Sequence, residues 1–241
     1  MKEAIKTYSK RLLRIGLYCM ALFFATSLFY TLYLKWFPPV TTPLMVMRAF
    51  EGTSRASGIY CRWVAYNDIS DNAKVAVIAE EDQKFASHGG FDYEAIQKAL
   101  KHNGKSKRVH GGSTISQQVA KNIFLWNGRS WLRKGLEVYF TFLIEHIWGK
   151  ERILQMYLNI AEMGDGVFGV GAVADTYFHS SAARLTAPQA ALIAAVLPNP
   201  RLYRIQNPSG YTLRRQARIL RAMKKIGGAD LSRRTMMRGG R

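Results

Sequence analysis

Acidic residues and cysteines are scarce in this chain. Only 16 of its 241 residues are Asp or Glu, against 35 Lys or Arg, which leaves a formal charge of +19. So much positive charge repels itself unless something anionic lies close by. Nucleic acid, anionic lipid headgroups and a diphosphate substrate all qualify, and composition does not choose among them. The two cysteines, Cys19 and Cys61, are too few and too widely separated for a disulfide framework, and they fit no zinc-ligand spacing. Internal repeats and low-complexity tracts are absent, and the Gly-Lys-Ser/Thr signature of a P-loop does not occur. Strand patterning is nearly missing, with only Ile59 to Ala65 hinting at it.

One long apolar run is present. Ile15 to Leu34 is twenty residues without a charge. As a helix it would be roughly 30 Å long, enough to cross a hydrocarbon core. Lys2, Lys6, Lys10, Arg11 and Arg14 precede it, whereas only Lys35 and Arg48 follow within a similar stretch. The positive-inside rule then puts the amino terminus in the cytoplasm and the remainder outside. Tyr30, Tyr33, Trp36 and Phe37 suit the outer interface. A signal peptide would have a shorter apolar region and a small-residue cleavage site. A buried core helix would show a polar stripe. The expected organisation is a basic cytoplasmic tail over 1–14, a transmembrane anchor over 15–35 and a periplasmic domain over 36–241, its motif core at about 70–210. Pro38, Pro39 and Pro43 read as a stiff connector.

Past Val40 helical periodicity dominates. Helices are predicted over Asn72–Lys84, Tyr93–Lys101, from Thr114 onward, Trp131–Trp148, Lys150–Ala161, Ala187–Val196 and Thr212–Ile226, the last stopped by Gly227-Gly228. Thr114 and Gln117 have capping-box spacing. The body reads as mostly α, in one domain.

Three stretches carry unusual chemistry. Glu80, Glu81 and Asp82 end an apolar helix and run into a glycine-bearing loop through His88, Gly90 and Asp92. Adjacent carboxylates raise one another's pKa, which suits a general base; a solvated helix end is the plain alternative. Gly111-Gly112-Ser113-Thr114 opens a helix bearing Gln117, Gln118, Lys121 and Asn122. Backbone N–H groups there could hold phosphate, or the hydroxyls could simply cap the helix. Arg129, Arg133, Lys134 and Glu137 follow, with Phe124, Leu125, Trp126 and Trp131 among them. Arg133 and Glu137 alone could be only a surface ion pair worth a few tenths of a kcal/mol, yet cations beside so many aromatics suit a surface that meets a membrane.

Together these stretches resemble a known family. Glu81-Asp82-x-x-Phe85-x-x-His88-x-Gly90-x-Asp92, then Gly111-Gly112-Ser113-Thr114-Ile115-x-Gln117-Gln118-x-x-Lys121-Asn122, then Arg133-Lys134-x-x-Glu137 are similar to three motifs of the peptidoglycan glycosyltransferases. Lys150 to Asn159 with Gly164 resembles the fourth, and Ala190 to Pro200 through Asn207-Pro208 the fifth, in family order. Ser116 stands where the family usually has Thr, which keeps the hydroxyl. No Ser-x-x-Lys occurs, so the likeness is to the monofunctional biosynthetic form, without a transpeptidase.

The resemblance implies a lysozyme-like, mostly α fold that polymerises lipid II into β-1,4-linked glycan with inversion and release of undecaprenyl diphosphate. It implies Glu81 as base and Glu137 as a second essential carboxylate. Ser113, Gln117, Gln118, Lys121, Asn122, Arg129, Arg133 and Lys134 would bind substrate. A divalent Mg or Mn ion would accompany the diphosphate, with no organic cofactor. The implied partners are lipid II, the growing lipid-linked strand, the bacterial inner membrane and proteins of cell division or elongation, without nucleic acid. A lysozyme-like lytic glycosidase and a membrane-tethered basic binding protein are the competing readings.

Overall fold

In the computed structural model, residues 2–53, 58–97, 112–128 and 130–226 are described. The chain divides into two units, Met1–Phe37 and Pro38–Arg241.

The first unit is one helix, α1 (Lys2–Trp36), so the basic tail and the apolar run share a continuous helix. Its part from Ser9 to Trp36 is long and apolar enough to cross a membrane. The hydroxyls of Thr26, Ser27 and Thr31 donate to carbonyls three or four residues back, so these polar groups are satisfied within the helix. Tyr33 stacks on both Tyr30 and Phe37.

The second unit opens with α2 (Pro43–Glu51). Thr42 caps it by accepting from the Met45 N–H, and Pro43 takes the first turn, where its missing N–H costs nothing. Pro43 is therefore part of a helix and not of a linker. Of the segment Ile59–Ala65, only β1 (Tyr60–Cys61) pairs as strand. It runs parallel to β3 (Val167–Phe168), which is antiparallel to β2 (Glu162–Gly164), giving the order β1-β3-β2. Further along, Val64 is held by a side chain. Asn159 accepts from its N–H at 2.7 Å and donates to its carbonyl at 3.0 Å, as a neighbouring strand would.

α3 (Asp71–Glu81) is capped by Ser70 and buried from Ala73 through Ala79, which makes it the central helix. It ends at Glu81 and not at Lys84, because Asp82 leaves helical geometry and uses its carboxylate elsewhere. The described part of α4 covers residues 93–97; the rest of the helix expected to Lys101 lies outside the described residues. α5 (Ile115–Phe124), α6 (Trp131–Ile147) and α7 (Lys150–Ile160) pack as one group. α8 (Gly169–Phe178) follows β3, and α9 (Ala187–Val196) and α10 (Gly210–Lys225) close on α3 as a second group. The glycines predicted to stop the last helix, Gly227 and Gly228, lie outside the described residues.

Gly171 in α8 has no room for a side chain: a Cβ there would lie 2.4 Å from the Arg62 carbonyl oxygen. Glycine at this point lets α8 press against the β1 segment. The unit is mostly α, as the periodicity requires, with the small sheet at the edge of α7 and α8.

Candidate active site

The three carboxylates at the end of α3 go three separate ways. Glu80 turns to Arg215 and Arg218 of α10. Asp82 is buried and accepts from His88 Nε2 at 2.9 Å and from the Ile115 N–H at 3.1 Å. It thereby ties the loop after α3 to the first turn of α5, where an acidic group also meets the positive end of the helix dipole. Glu81 points to α5 and accepts at Oε2 from Gln118 Nε2 at 2.7 Å. Gln118 is oriented in turn by the buried Tyr157 hydroxyl, which donates to its Oε1 at 3.3 Å.

Burial raises the Glu81 pKa above the ordinary carboxylate value. The Gln118 hydrogen bond opposes this, and Glu80, Arg215 and Asp82 contribute less. Mutual repulsion among adjacent carboxylates is thus a minor cause, because two of the three are engaged by other partners.

The second carboxylate is Glu137 on α6, only 3% exposed. Arg133 Nη1 donates to its Oε2 at 2.7 Å and Lys134 Nζ to its Oε1 at 2.5 Å. This is no surface ion pair. A buried carboxylate with both oxygens occupied is a fixed template for the two cations. Lys121 on α5 is partly buried, and its ammonium group has no hydrogen bond or ion pair among the described residues. Its pKa is lowered by burial first. Glu137 counters that, Arg133 and Lys134 lower it further, and Glu81 raises it. One ammonium therefore lies in the field of both carboxylates. Two cations hold Glu137 and a third, Lys121, feels its charge, and the excess positive charge suits an anion.

The remaining expected residues divide. Gln117 is buried and closes the capping box: its Oε1 accepts from the Thr114 N–H, whose hydroxyl accepts from the Gln117 N–H. Its side-chain oxygen thus serves the helix end. Ser113 is exposed just ahead of that cap. Asn122 is buried, and its Oδ1 has no hydrogen-bond partner among the described residues. Arg129 and Gly111 lie outside the described residues.

Several contributors are not among the candidate residues, and Glu145 lies outside every motif. Lys150 Nζ donates to the His88 carbonyl and to Glu145, each at 2.7 Å, and Glu145 also accepts from Ser116. Gly90 (φ +92°) sits so close to α6 that a Cβ would meet Thr141 at 2.8 Å. These contacts lock the loop that follows Glu81 against α6. Glu145 could not be found by spacing, because its partners come from three other segments. Lys150, Tyr157 and Asn159 do fall in the fourth motif.

A metal cage is not formed by these donors. No group of three or more His, Cys, Asp or Glu side chains suited to a metal occurs among the described residues, and Glu137 already holds two cations.

The family model described as Transglycosylase matches residues 50–224, a span that takes in both carboxylates and the cation cluster. The chain belongs to the transglycosylase family. Its second unit is accordingly the family's single lysozyme-like domain. The chain is 50% identical over 210 residues to a biosynthetic peptidoglycan transglycosylase of Pseudomonas syringae pv. syringae (strain B728a), covering 86% of this chain and 89% of that relative. Over 219 residues it is 47% identical to one of Bacteroides thetaiotaomicron, covering 90% and 88%. Over 176 residues it is 57% identical to one of Salmonella enteritidis PT4, covering 73% of each.

Proposed function

We propose that this transglycosylase lengthens peptidoglycan strands from lipid II at a membrane surface, with Glu81 as the general base. That the chain is a glycosyltransferase of peptidoglycan biosynthesis follows from its family and its relatives. The finer reading is supported by one observation: the half-buried Lys121 ammonium is acted on both by Glu81 and by the Glu137–Arg133–Lys134 cluster, which carries surplus positive charge.

The reaction asks for that separation of roles. The GlcNAc 4-hydroxyl of the acceptor is a poor nucleophile, so its proton passes to Glu81 as the new bond to the donor's anomeric carbon forms. The bond to the diphosphate breaks on the opposite face, and configuration inverts. A raised pKa brings Glu81 nearer to matching its task. The departing diphosphate needs charge stabilisation more than a proton, and Lys121, Arg133, Lys134 and Arg129 would supply it through charge-assisted hydrogen bonds. Gln118 holds Glu81 in place, while Ser113 and Asn122 would contact the substrate. A Mg or Mn ion would enter on the oxygens of the substrate's own diphosphate, because the protein donors do not form a cage for it.

Exposed apolar groups on α6 support a membrane location. Trp131, 93% exposed, is followed along the helix by exposed Leu132, Val138 and Phe142. Such a stripe beside Lys134 suits the lipid interface in which the substrate's tail is held. With α1 as a single-pass anchor, the charge asymmetry supports an amino terminus in the cytoplasm and a catalytic domain in the periplasm.

The test is polymerisation of purified lipid II by the full chain, with Glu81→Gln as control. Glycan from the parent and none from the variant is the expected result. Solubilisation of intact cell wall by the parent, without polymer from lipid II, would instead establish a lytic glycosidase.

A further inference from the structure

The reading of Glu81 as base leaves its neighbour Glu80 without a role. A carboxylate is disfavoured at the C-terminal end of a helix, where the dipole is negative, and α3 ends in two followed by a third. Glu80 has a side chain only 9% exposed, so water does little to offset that cost. The offset comes from α10. Arg215 Nη2 donates to Glu80 Oε1, and Arg218 Nη2 lies 2.9 Å from Oε1 and 3.1 Å from Oε2. Arg215 is itself fixed: its Nη1 donates to the Tyr211 hydroxyl at 3.4 Å, and its guanidinium lies over that ring at 5.9 Å. Ile219, one turn beyond Arg215, and Met223, one turn further, are buried along the same flank of α10, so the helix presents its arginines to the end of α3 at a set angle.

A clip between two helices could sit anywhere along them. This one sits one peptide bond from Glu81. We propose that Arg215, seconded by Arg218, is a positioning residue for the transfer reaction: by neutralising Glu80 it leaves Glu81 the single carboxylate at the end of α3 free to accept a proton. The proposal rests on Glu81 being the base.

The groups facing Glu81 are Glu80 and Asp82 from its own segment, Gln118 and Lys121 from α5, Tyr157 from α7 and Arg215 from α10. Asp82 is held by His88, and Gln118, Lys121 and Tyr157 belong to the site. Glu80 and Arg215 act on Glu81 with opposite signs, Glu80 favouring its protonated form and Arg215 its ionised form. They are also partners, so removing both should cancel.

The experiment is the pH profile of lipid II polymerisation by the full chain in detergent, for the parent, Glu80→Gln, Arg215→Met, the double variant and Glu81→Gln. Arg215→Met is expected to move the acid limb upward by about half a pH unit, roughly a threefold loss of rate on that limb. Glu80→Gln moves it downward by a similar amount, and the double variant returns it close to the parent position. Limbs that stay in place while rates fall equally at every pH overturn the proposal and leave a structural clip. Should Arg215→Met fail to fold, the remaining variants decide. A downward shift in Glu80→Gln that disappears in the double variant supports the proposal, and no shift overturns it. Glu81→Gln separates the two levels of the argument. If it is inactive at every pH, the base assignment stands whatever happens at Glu80; if it is active, that assignment falls and the proposal with it.

Discussion

Glu81 ends an apolar helix and is held by one amide, and that surrounding sets both its chemistry and its cost. A carboxyl whose pKa is higher folded than unfolded favours the fold most when protonated. This contribution is complete below the ordinary carboxylate range and is lost as the pH rises through the raised value. Glu81→Gln removes the ionisable group, so it is expected to melt above the parent at pH 7 and level with it near or below about pH 4. Polymerisation should fall by about two to four orders of magnitude. Thermal denaturation at the two pH values, beside the lipid II assay, checks both; equal melting at pH 7 would speak against a desolvated carboxylate. Lys121 follows the mirrored logic. Burial lowers its pKa, so its charge opposes folding at neutral pH, and that penalty fades as the pH rises. Lys121→Met is expected to raise Tm while lowering kcat/KM by about tenfold to a hundredfold, the loss of one charge-assisted contact to the leaving group.

At the scale of elements, the site depends on joints that tie helix ends to extended chain. Asn159 stands in for a strand at Val64. Truncation to Ala would strand a backbone N–H and a carbonyl, costing about 2 kcal/mol and lowering Tm by about 4–8 °C. Gly171→Ala is expected to be worse than its size suggests, because the new Cβ would strike the Arg62 backbone, which cannot swing aside. A circular dichroism melt of each variant tests these figures, and an unchanged Gly171→Ala would show that α8 does not press on β1. The same joints explain what was legible. Helices marked by apolar periodicity, α5, α6 and α7, or by a continuous apolar run, α3 and α9, appear in the sequence nearly at their observed bounds. α8 does not, since Gly169 and Gly171 lower helix propensity for the sake of a close approach that only packing reveals. α2 was hidden behind Pro43, and the β2–β3 hairpin is too short for alternation to show. Gln117 illustrates a different limit: its spacing suits a cap and its motif suits a substrate, and the fold uses it as a cap.

At the scale of the whole molecule, the surplus of cations and the exposed apolar stripe of α6 point to work at an anionic lipid surface. Replacing Trp131 and Phe142 together by Ser removes exposed apolar area without touching the core. Tm is expected to stay within about 2 °C, as surface changes usually do. Polymerisation of lipid II embedded in phosphatidylglycerol-containing vesicles should fall severalfold, with little change in detergent. Equal loss in both media would place the stripe inside the protein's own mechanics instead.

The sequence by itself determined the helical class, the apolar amino-terminal helix and the family, because periodicity, run length and ordered motifs are local properties of a chain. It also named Glu81, Glu137 and the cations as candidates. Only the tertiary structure decided which partner each of the three adjacent carboxylates takes, with Glu81 left to a single amide. The partners are His88, Ile115, Gln118, Arg215 and Arg218, which come from loops and helices up to 138 residues away. Burial and partnership are properties of space, and they set a carboxylate's pKa more strongly than its neighbours in the chain do.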